Sequence, residues 1–458
     1  MDWRVRKAMK VVIVGNGVAG IEAALEVRAT QPSWDISIVS EESDHFFART
    51  SLMYVFTGQL RARDIEPLER DAYTKHRFRR VRARAVGIDV AGKRLLLAGE
   101  PSSVPYDRLL IASGSNARPG PWPGSDLGGV GSFVTLGDLG WLTREARADA
   151  PTEVDSFTSP AGSPYARRPA AAVEHGRPAS RPVVIGGGLI GIEAVEILVA
   201  EGLRPRFLIR DEWFWPMALD AREARWIAEH MSAHGVDVTL EAQVQRLEGD
   251  ARGLVSRVVT ENDAYATDLV VVAIGVVPNT AWLGTSVALD EKSRAVIVDE
   301  GLATSVPDIY AAGDCAAVRW WDGSMRPEQL WYTARDQGRI AGARLAGKNA
   351  KYARGTWYNS AKLFDVEYTT VGLVGASLPL ERSFFFEERG AVRSTTRIIA
   401  SEERFVGANF LGRRWDHSVL REWIDEQRPA TWVLDHLREA SFDTELVPPL
   451  TSPTWAES

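Results

Sequence analysis

A chain of 458 residues is too long for one ordinary domain and is read as two or three. Its 45% apolar and 25% charged residues are the profile of a soluble globular protein, and a net charge of −7 argues against a nucleic-acid partner and for a cytoplasmic location. A single cysteine, Cys315, excludes a disulfide framework and any cysteine-based metal site, and the longest apolar run, LVVVAIGVV at 269–277, has the length of a buried strand and spans no membrane.

The opening MDWRVRKAMK has no hydrophobic signal region and reads as a short basic leader, with Met9 a candidate true start. KVVIV at 10–14 is apolar, β-branched and too short for a helix, so it is predicted to be a buried parallel strand. It runs into GNGVAG at 15–20, then into the helical spacing of IEAALEVRAT, then into a second strand, DISIVS at 35–40. In such a βαβ unit Gly15 makes the tight turn, Gly17 lets the backbone approach a pyrophosphate, and Gly20 lets helix and strand pack closely. Val18 and Ala19 open the helix, whose N-terminal N–H groups and partial positive charge suit phosphates. Glu41 ends the second strand, 21 residues after Gly20, where a carboxylate could accept both hydroxyls of a ribose.

The device repeats. RPVVI at 181–185 runs into GGGLIG at 186–191, the helical IEAVEILVAEG and the strand RPRFLIR at 204–210. Gly186, Gly188 and Gly191 take the three glycine roles, Leu189 and Ile190 the first turn, and Glu193 follows. Arg210 ends the next strand and suits the 2′-phosphate of NADPH; Asp211 beside it could take a plain ribose, and a solvated surface arginine is the other reading. Two dinucleotide sites in one chain is the natural conclusion. Between them, 151–181 is rich in Pro, Ala, Ser and Arg and is read as an exposed insertion. VPYDRLLIASGS at 104–115 reads as a strand ending in a glycine turn, and TSVPDIYAAGDCAAV at 304–318 as a strand followed by a Gly and an Asp opening a helix. After residue 350 come short strands and two closing helices, HSVLREWIDEQ and TWVLDHLREASFD, and several of the sixteen tryptophans lie in this late region. His230 and His234, spaced i, i+4 in HMSAH, lack the intervening glutamate of a metalloprotease signature and are read as a surface helix face.

Together these segments resemble the FAD-dependent pyridine nucleotide oxidoreductases, the flavoproteins built on two dinucleotide-binding domains. The resemblance covers about 10–118 and 180–347 and, more loosely, the remainder. The family's "ATG" signature stands here as Ala112-Ser113-Gly114, its "GD" as Gly313-Asp314, and its "GxxPN" turn as Gly275-Val276-Val277-Pro278-Asn279. The implied fold is α/β: an FAD-binding domain over 1–118 and 281–349, an NAD(P)-binding domain over 119–280, and a C-terminal α+β interface domain over 350–458. By the same resemblance Asp314 bonds a hydroxyl of the FAD ribityl chain and Gly313 permits its approach. The helix beginning in LWYTARDQG, with Tyr332, aims its N-terminus at the flavin, Arg49 lies in the loop over the cofactor, and Glu193 lies close to the nicotinamide. Trp357, Phe364 and Tyr368 are candidates for cofactor cover or partner contact, or for sheet core.

Two departures set the subclass. The stretch FFARTSLMYVFTGQL at 46–60, where disulfide reductases of the family carry a redox-active cysteine pair, holds no cysteine, and Tyr54 replaces the family's lysine near the reactive flavin nitrogen. Cys315 reads as a small buried structural thiol. The resemblance is therefore to the rubredoxin and ferredoxin reductases and the flavin arm of nitrite reductase. It implies FAD as cofactor, NADH or NADPH as co-substrate, a small electron-carrier protein as acceptor and a possible homodimer. Alternatives are an NAD(P)H oxidase or quinone reductase, and a flavoprotein that acts only through partners. A membrane-associated quinone dehydrogenase would want an apolar-faced C-terminal helix, and the one here is acidic and polar.

Overall fold

The computed structural model describes residues 8–147, 179–375, 378–389, 393–442 and 454–457. Residues 1–7 of the expected basic leader and nearly all of the expected insertion at 151–181 lie outside the described residues. The chain forms two compact units. The first is Met1–Ala179 with Gly249–Val255 and Ile274–Arg354; the second is Ser180–Glu248 with Ser256–Ala273 and Gly355–Ser458.

The first unit is built on a five-stranded parallel sheet in the order Ile309–Ala311, Arg108–Ile111, Lys10–Val14, Asp35–Ser40, Phe78–Arg82. Val11 to Val14 are buried, as an apolar strand covered on both faces must be. The helix Val18–Thr30 crosses back over this sheet. Against it lies the helix Trp331–Leu345, which approaches unusually closely. A Cβ on Gly338 would stand 2.5 Å from the Ala19 carbonyl oxygen, and one on Gly342 would stand 2.7 Å from that of Ala23. The two helices thus meet backbone to backbone.

One expectation fails here. Asp314 does not open a helix: Gly313–Cys315 is a single 3-10 turn, and Ala316–Arg319 is a strand. The reason is burial and pairing. Cys315, Ala316, Ala317 and Val318 are all buried, which leaves no polar face for a surface helix, and the segment pairs with Val296–Ile297 on one side and Met325–Pro327 on the other.

The second unit repeats the parallel motif with strands in the order Asp237–Thr239, Arg206–Leu208, Pro182–Ile185, Leu269–Val272. The strand predicted at 204–210 is shorter than expected, Arg206–Leu208. Pairing ends at Leu208, so Arg210 stands beyond the strand on an exposed bend. The C-terminal part is an antiparallel sheet, in the order Tyr358–Leu363, Val366–Gly372, Arg404–Leu411, Arg393–Ser401, Glu381–Arg389. The short strand Ala456–Glu457 pairs with its outer edge, so a strand and not a helix is the last described element. Helices His417–Asp425 and Ala430–His436 contribute Leu420, Trp423 and Val433 to a core shared with Phe405, Phe410 and Trp415. Tyr368 is buried on the strand Val366–Gly372, Phe364 is buried in the turn before that strand, and Trp357 is half-buried. Among the described residues no helix is long and apolar enough to cross a membrane.

Glu223 ties this unit together. It closes the capping box of helix Ala221–Ala233, accepting from the Asp220 N–H at 2.9 Å while its own N–H donates to Asp220 at 2.9 Å. The same carboxylate, 0% exposed, accepts from the Arg397 guanidinium at 3.0 Å and from Asn409 Nδ2 at 3.0 Å, both on the antiparallel sheet. Arg397 also donates to the carbonyls of Ala218 and Val374. A buried cation so placed depends on its counter-charge. Glu223→Ala is expected to destabilise the unit by about 3–5 kcal/mol, because it strands Arg397 in the interior. Urea unfolding of the two proteins checks this, and an unchanged midpoint would contradict it.

Candidate functional site

The first glycine turn leaves the strand Lys10–Val14 at Gly15, whose φ of +114° and N–H bond to the Val39 carbonyl at 2.8 Å bend the chain sharply. A Cβ there would stand 2.0 Å from the Ala112 carbonyl oxygen, and one on Gly20 would stand 2.1 Å from the Gly15 carbonyl oxygen. Both positions therefore exclude a side chain. Gly17 is the opposite case. It is the N-cap of the helix, no side chain caps it, and open space surrounds its Cβ position. The N–H groups of Val18, Ala19 and Gly20 have no partner within the helix by its geometry. An uncapped helix N-terminus facing open space is a seat for a pyrophosphate, so these residues fit the group that the sequence implied.

Around this turn the unit gathers the other expected residues. Glu41 directly follows the strand Asp35–Ser40 and is half-buried. Arg49 is held on three sides: its guanidinium donates to Glu42 at 2.6 and 3.1 Å and to the Val134 carbonyl at 2.7 Å, and lies over the Phe47 ring. Asp314 accepts from the Ser115 hydroxyl at 2.7 Å. Burial raises its carboxyl above the ordinary range, opposed by the Ser115 bond and the Arg49 charge. The Gly313 N–H donates to Gln337 Oε1 at 2.8 Å. Ser113 donates to the Asn279 carbonyl at 2.7 Å, and the Asn279 N–H to the Gly114 carbonyl at 2.9 Å. Ser115–Ala117 pairs with Val276–Pro278, and the Gly275 carbonyl accepts from the Arg118 N–H. The Gly275 turn, expected in the second domain, is thus sewn to Ser113 and Gly114 in the first unit. Tyr332 stands in the first turn of helix Trp331–Leu345, whose N-terminus is also uncapped by any side chain.

The second turn reproduces the first. Gly186 has φ +124°, and a Cβ on Gly191 would stand 2.0 Å from the Gly186 carbonyl oxygen. Gly188 is an uncapped N-cap with open space about it, followed by Leu189 and Ile190. Arg210 is exposed and ion-paired with Asp211 at 3.3 Å. Glu193 lies on the same helix, and burial, with the Glu196 charge adding, pushes its carboxyl up to about 7. Cys315 is 0% exposed, and its Sγ faces the carbonyls of Ala312 and Ile111 at 3.4 and 3.5 Å. Burial raises the thiol, so it is inert.

Sequence reasoning missed three residues that hold this site: Glu42, which anchors Arg49; Ser115, which bonds Asp314; and Gln337, which is 0% exposed and receives the Gly313 N–H. Gln337 carried one legible signal, as the polar residue between alanines and glycines on a helix face with no room for solvent.

Residues 9–338 match the family model described as pyridine nucleotide-disulphide oxidoreductase. Rhodocoxin reductase of Rhodococcus erythropolis is 28% identical over 96% of this chain and 94% of its own length. The NAD(P)H sulfur oxidoreductase (CoA-dependent) of Pyrococcus abyssi is 28% identical over 81% of this chain and 77% of its own. Among solved structures, the covalent putidaredoxin reductase–putidaredoxin complex matches with a TM-score of 0.76 at 21% identity, covering 92% of this chain and 94% of that one, a likeness of fold.

Glu193 gives a pH test. Its folded carboxyl holds a proton up to about 7 against an ordinary value of 4.5. The stabilisation from that proton is complete at low pH and is lost as pH rises through about 7. Thermal midpoints taken between about pH 5 and pH 8 should fall more steeply in the native protein than in Glu193→Gln. Parallel curves would contradict the assignment.

Proposed function

The chain belongs to the pyridine nucleotide-disulphide oxidoreductase family and is an FAD-dependent NAD(P)H oxidoreductase, and we propose that it delivers its electrons to a small external redox protein of the rubredoxin or ferredoxin kind. The observation that carries this reading is the cysteine count: no thiol stands in the 46–60 segment, and the one cysteine of the chain is wholly buried. A disulfide relay through the protein has no atoms to run on.

Bound FAD supplies an acceptor for a hydride whose two electrons can leave one at a time. The protein's part is placement, since hydride transfer needs the reacting atoms about 3–3.5 Å apart. In the first unit the N–H groups of Val18, Ala19 and Gly20 would hold the FAD pyrophosphate, Glu41 a ribose, and Asp314 a ribityl hydroxyl. The open N-terminus of helix Trp331–Leu345 offers fixed partial positive charge, which favours negative charge on a nearby ring edge without reorganisation. Glu42 and the Val134 carbonyl fix Arg49 in one pose. In the second unit the N–H groups of Leu189, Ile190 and Gly191 would hold the NAD(P)H pyrophosphate. Arg210 offers a cation for a 2′-phosphate, Asp211 an acceptor for a free ribose, and Glu193 a carboxyl for the nicotinamide end.

Anaerobic stopped-flow mixing with NADH and with NADPH should bleach the flavin, faster with the preferred nucleotide. The reduced protein should then be reoxidised faster by rubredoxin or ferredoxin than by a quinone or air. No bleaching with either nucleotide would end the assignment, and a quinone or dioxygen reacting faster would make the protein a quinone reductase or an oxidase. Asp314→Ala should lower FAD affinity about ten- to a hundredfold, as loss of a hydrogen bond to a charged group does. Flavin content after dialysis reads this out, and full retention would place the ribityl chain elsewhere.

A further inference from the structure

Helix Ala221–Ala233 ends with His230 in its last turn and His234 at its C-cap, so the two imidazoles lie one above the other on one face, with ring centroids 4.5 Å apart. Strands Tyr358–Leu363 and Val366–Gly372 are joined by only Phe364 and Asp365, because Leu363 pairs directly with Val366. This turn brings the Asp365 carboxylate onto the histidine pair: Asp365 Oδ1 bonds His230 Nε2, and a ligand atom from each of the three residues lies within 4.8 Å of the other two. All three residues belong to the second unit.

The surroundings hold this arrangement in place. His234 Nδ1 faces the His230 carbonyl oxygen at 2.9 Å, so it must be the protonated nitrogen, and the Nε2 lone pair is left for a cation. The Phe364 ring packs on His234 at 5.0 Å and on His230 at 6.3 Å. Phe364 has φ +59°, a conformation that aromatic residues rarely adopt, and its N–H donates to the Glu196 carboxylate at 3.2 Å. The turn is therefore pinned from behind, and the Asp365 side chain, 72% exposed, remains open to solvent on its other side.

We propose that His230, His234 and Asp365 form a binding site for a divalent transition-metal ion of the zinc class, joining the C-terminal end of helix Ala221–Ala233 to the turn at Phe364 and Asp365. Two neutral imidazoles and one carboxylate are the ligand types that zinc, cobalt(II) and nickel(II) take, and a water completes four-coordination from the exposed side. On binding, the ion takes the position between His230 Nε2 and Asp365, and His230 stays neutral by carrying its single ring proton on Nδ1. The site shares no residue with either glycine turn, and its role is to clasp the two elements. The lack of a glutamate between the histidines, which removes the metalloprotease reading, does not affect a clasp.

The test uses the flavin-loaded full chain after chelation and dialysis. Calorimetric titration with zinc should show one equivalent bound. Cobalt(II) should give absorption bands to the red of the flavin. His234→Ala and Asp365→Asn should each weaken zinc binding at least about tenfold, with flavin content and circular dichroism unchanged. Asp365→Asn is at an exposed position and keeps the fold. X-ray absorption at the zinc edge should show a nitrogen and oxygen shell with two imidazoles. No heat and no cobalt bands, binding unchanged in both variants, or a shell containing sulfur or a single imidazole would each overturn the proposal and leave His230 and Asp365 as a plain ion pair.

Discussion

Everything in this molecule rests on a backbone amide left without a partner. A helix begins with N–H groups that nothing inside the helix can satisfy, and most helices cover them with a capping side chain. At Gly17 and Gly188 the cap has no side chain at all. The cost is accepted twice in one chain, each time at the mouth of a buried parallel strand. The packing that makes this possible is tight: at Gly15, Gly20 and Gly191 neighbouring oxygens occupy the space of any Cβ, while at the caps the space is open. The contrast between crowded and open glycines separates a seat for phosphate from an ordinary tight turn.

Around the first seat the chain uses short hydrogen-bonded relays instead of isolated groups. Glu42 holds Arg49, Ser115 holds Asp314, and Gln337 holds Gly313. Ser115 and Asp314 are 199 residues apart and Arg49 reaches the Val134 carbonyl 85 residues on, so the site's geometry is a property of the folded unit and not of any one loop. The same economy appears in the second unit, where Glu223 serves a helix cap and an ion pair with one carboxylate.

Much of this was legible beforehand. The strands at 10–14 and 35–40 fall where the sequence pattern put them, because both are short, rich in β-branched residues and buried over most of their length. The glycine turns were legible because their spacing encodes a steric requirement. What local pattern could not reveal was decided by distant partners. AAGDCAAV carries no helix-period polarity, and whether it turns or coils depends on the strands at 296–297 and 325–327 that pair with it. The strand at 206–208 ends early because pairing stops there, not because its residues change character. Gly275 sits with Ser113 because of hydrogen bonds across a long stretch of chain. Ser115, 199 residues from Asp314, was invisible for the same reason. His230 and His234 were seen as a pair, but Asp365, which gives the pair a third ligand, arrives from a hairpin far along the sequence.

The close seating of Gly338 and Gly342 on Ala19 and Ala23 bears on how the protein is born. The helix that presents the first phosphate seat is synthesised before the strands at 182–185, 206–208, 237–239 and 269–272, and the helix that covers its back only after them. Contacts of such long sequence separation form slowly, since the loop between them must close first. The helix Val18–Thr30 therefore waits with Ala19 and Ala23 uncovered while the intervening chain is made.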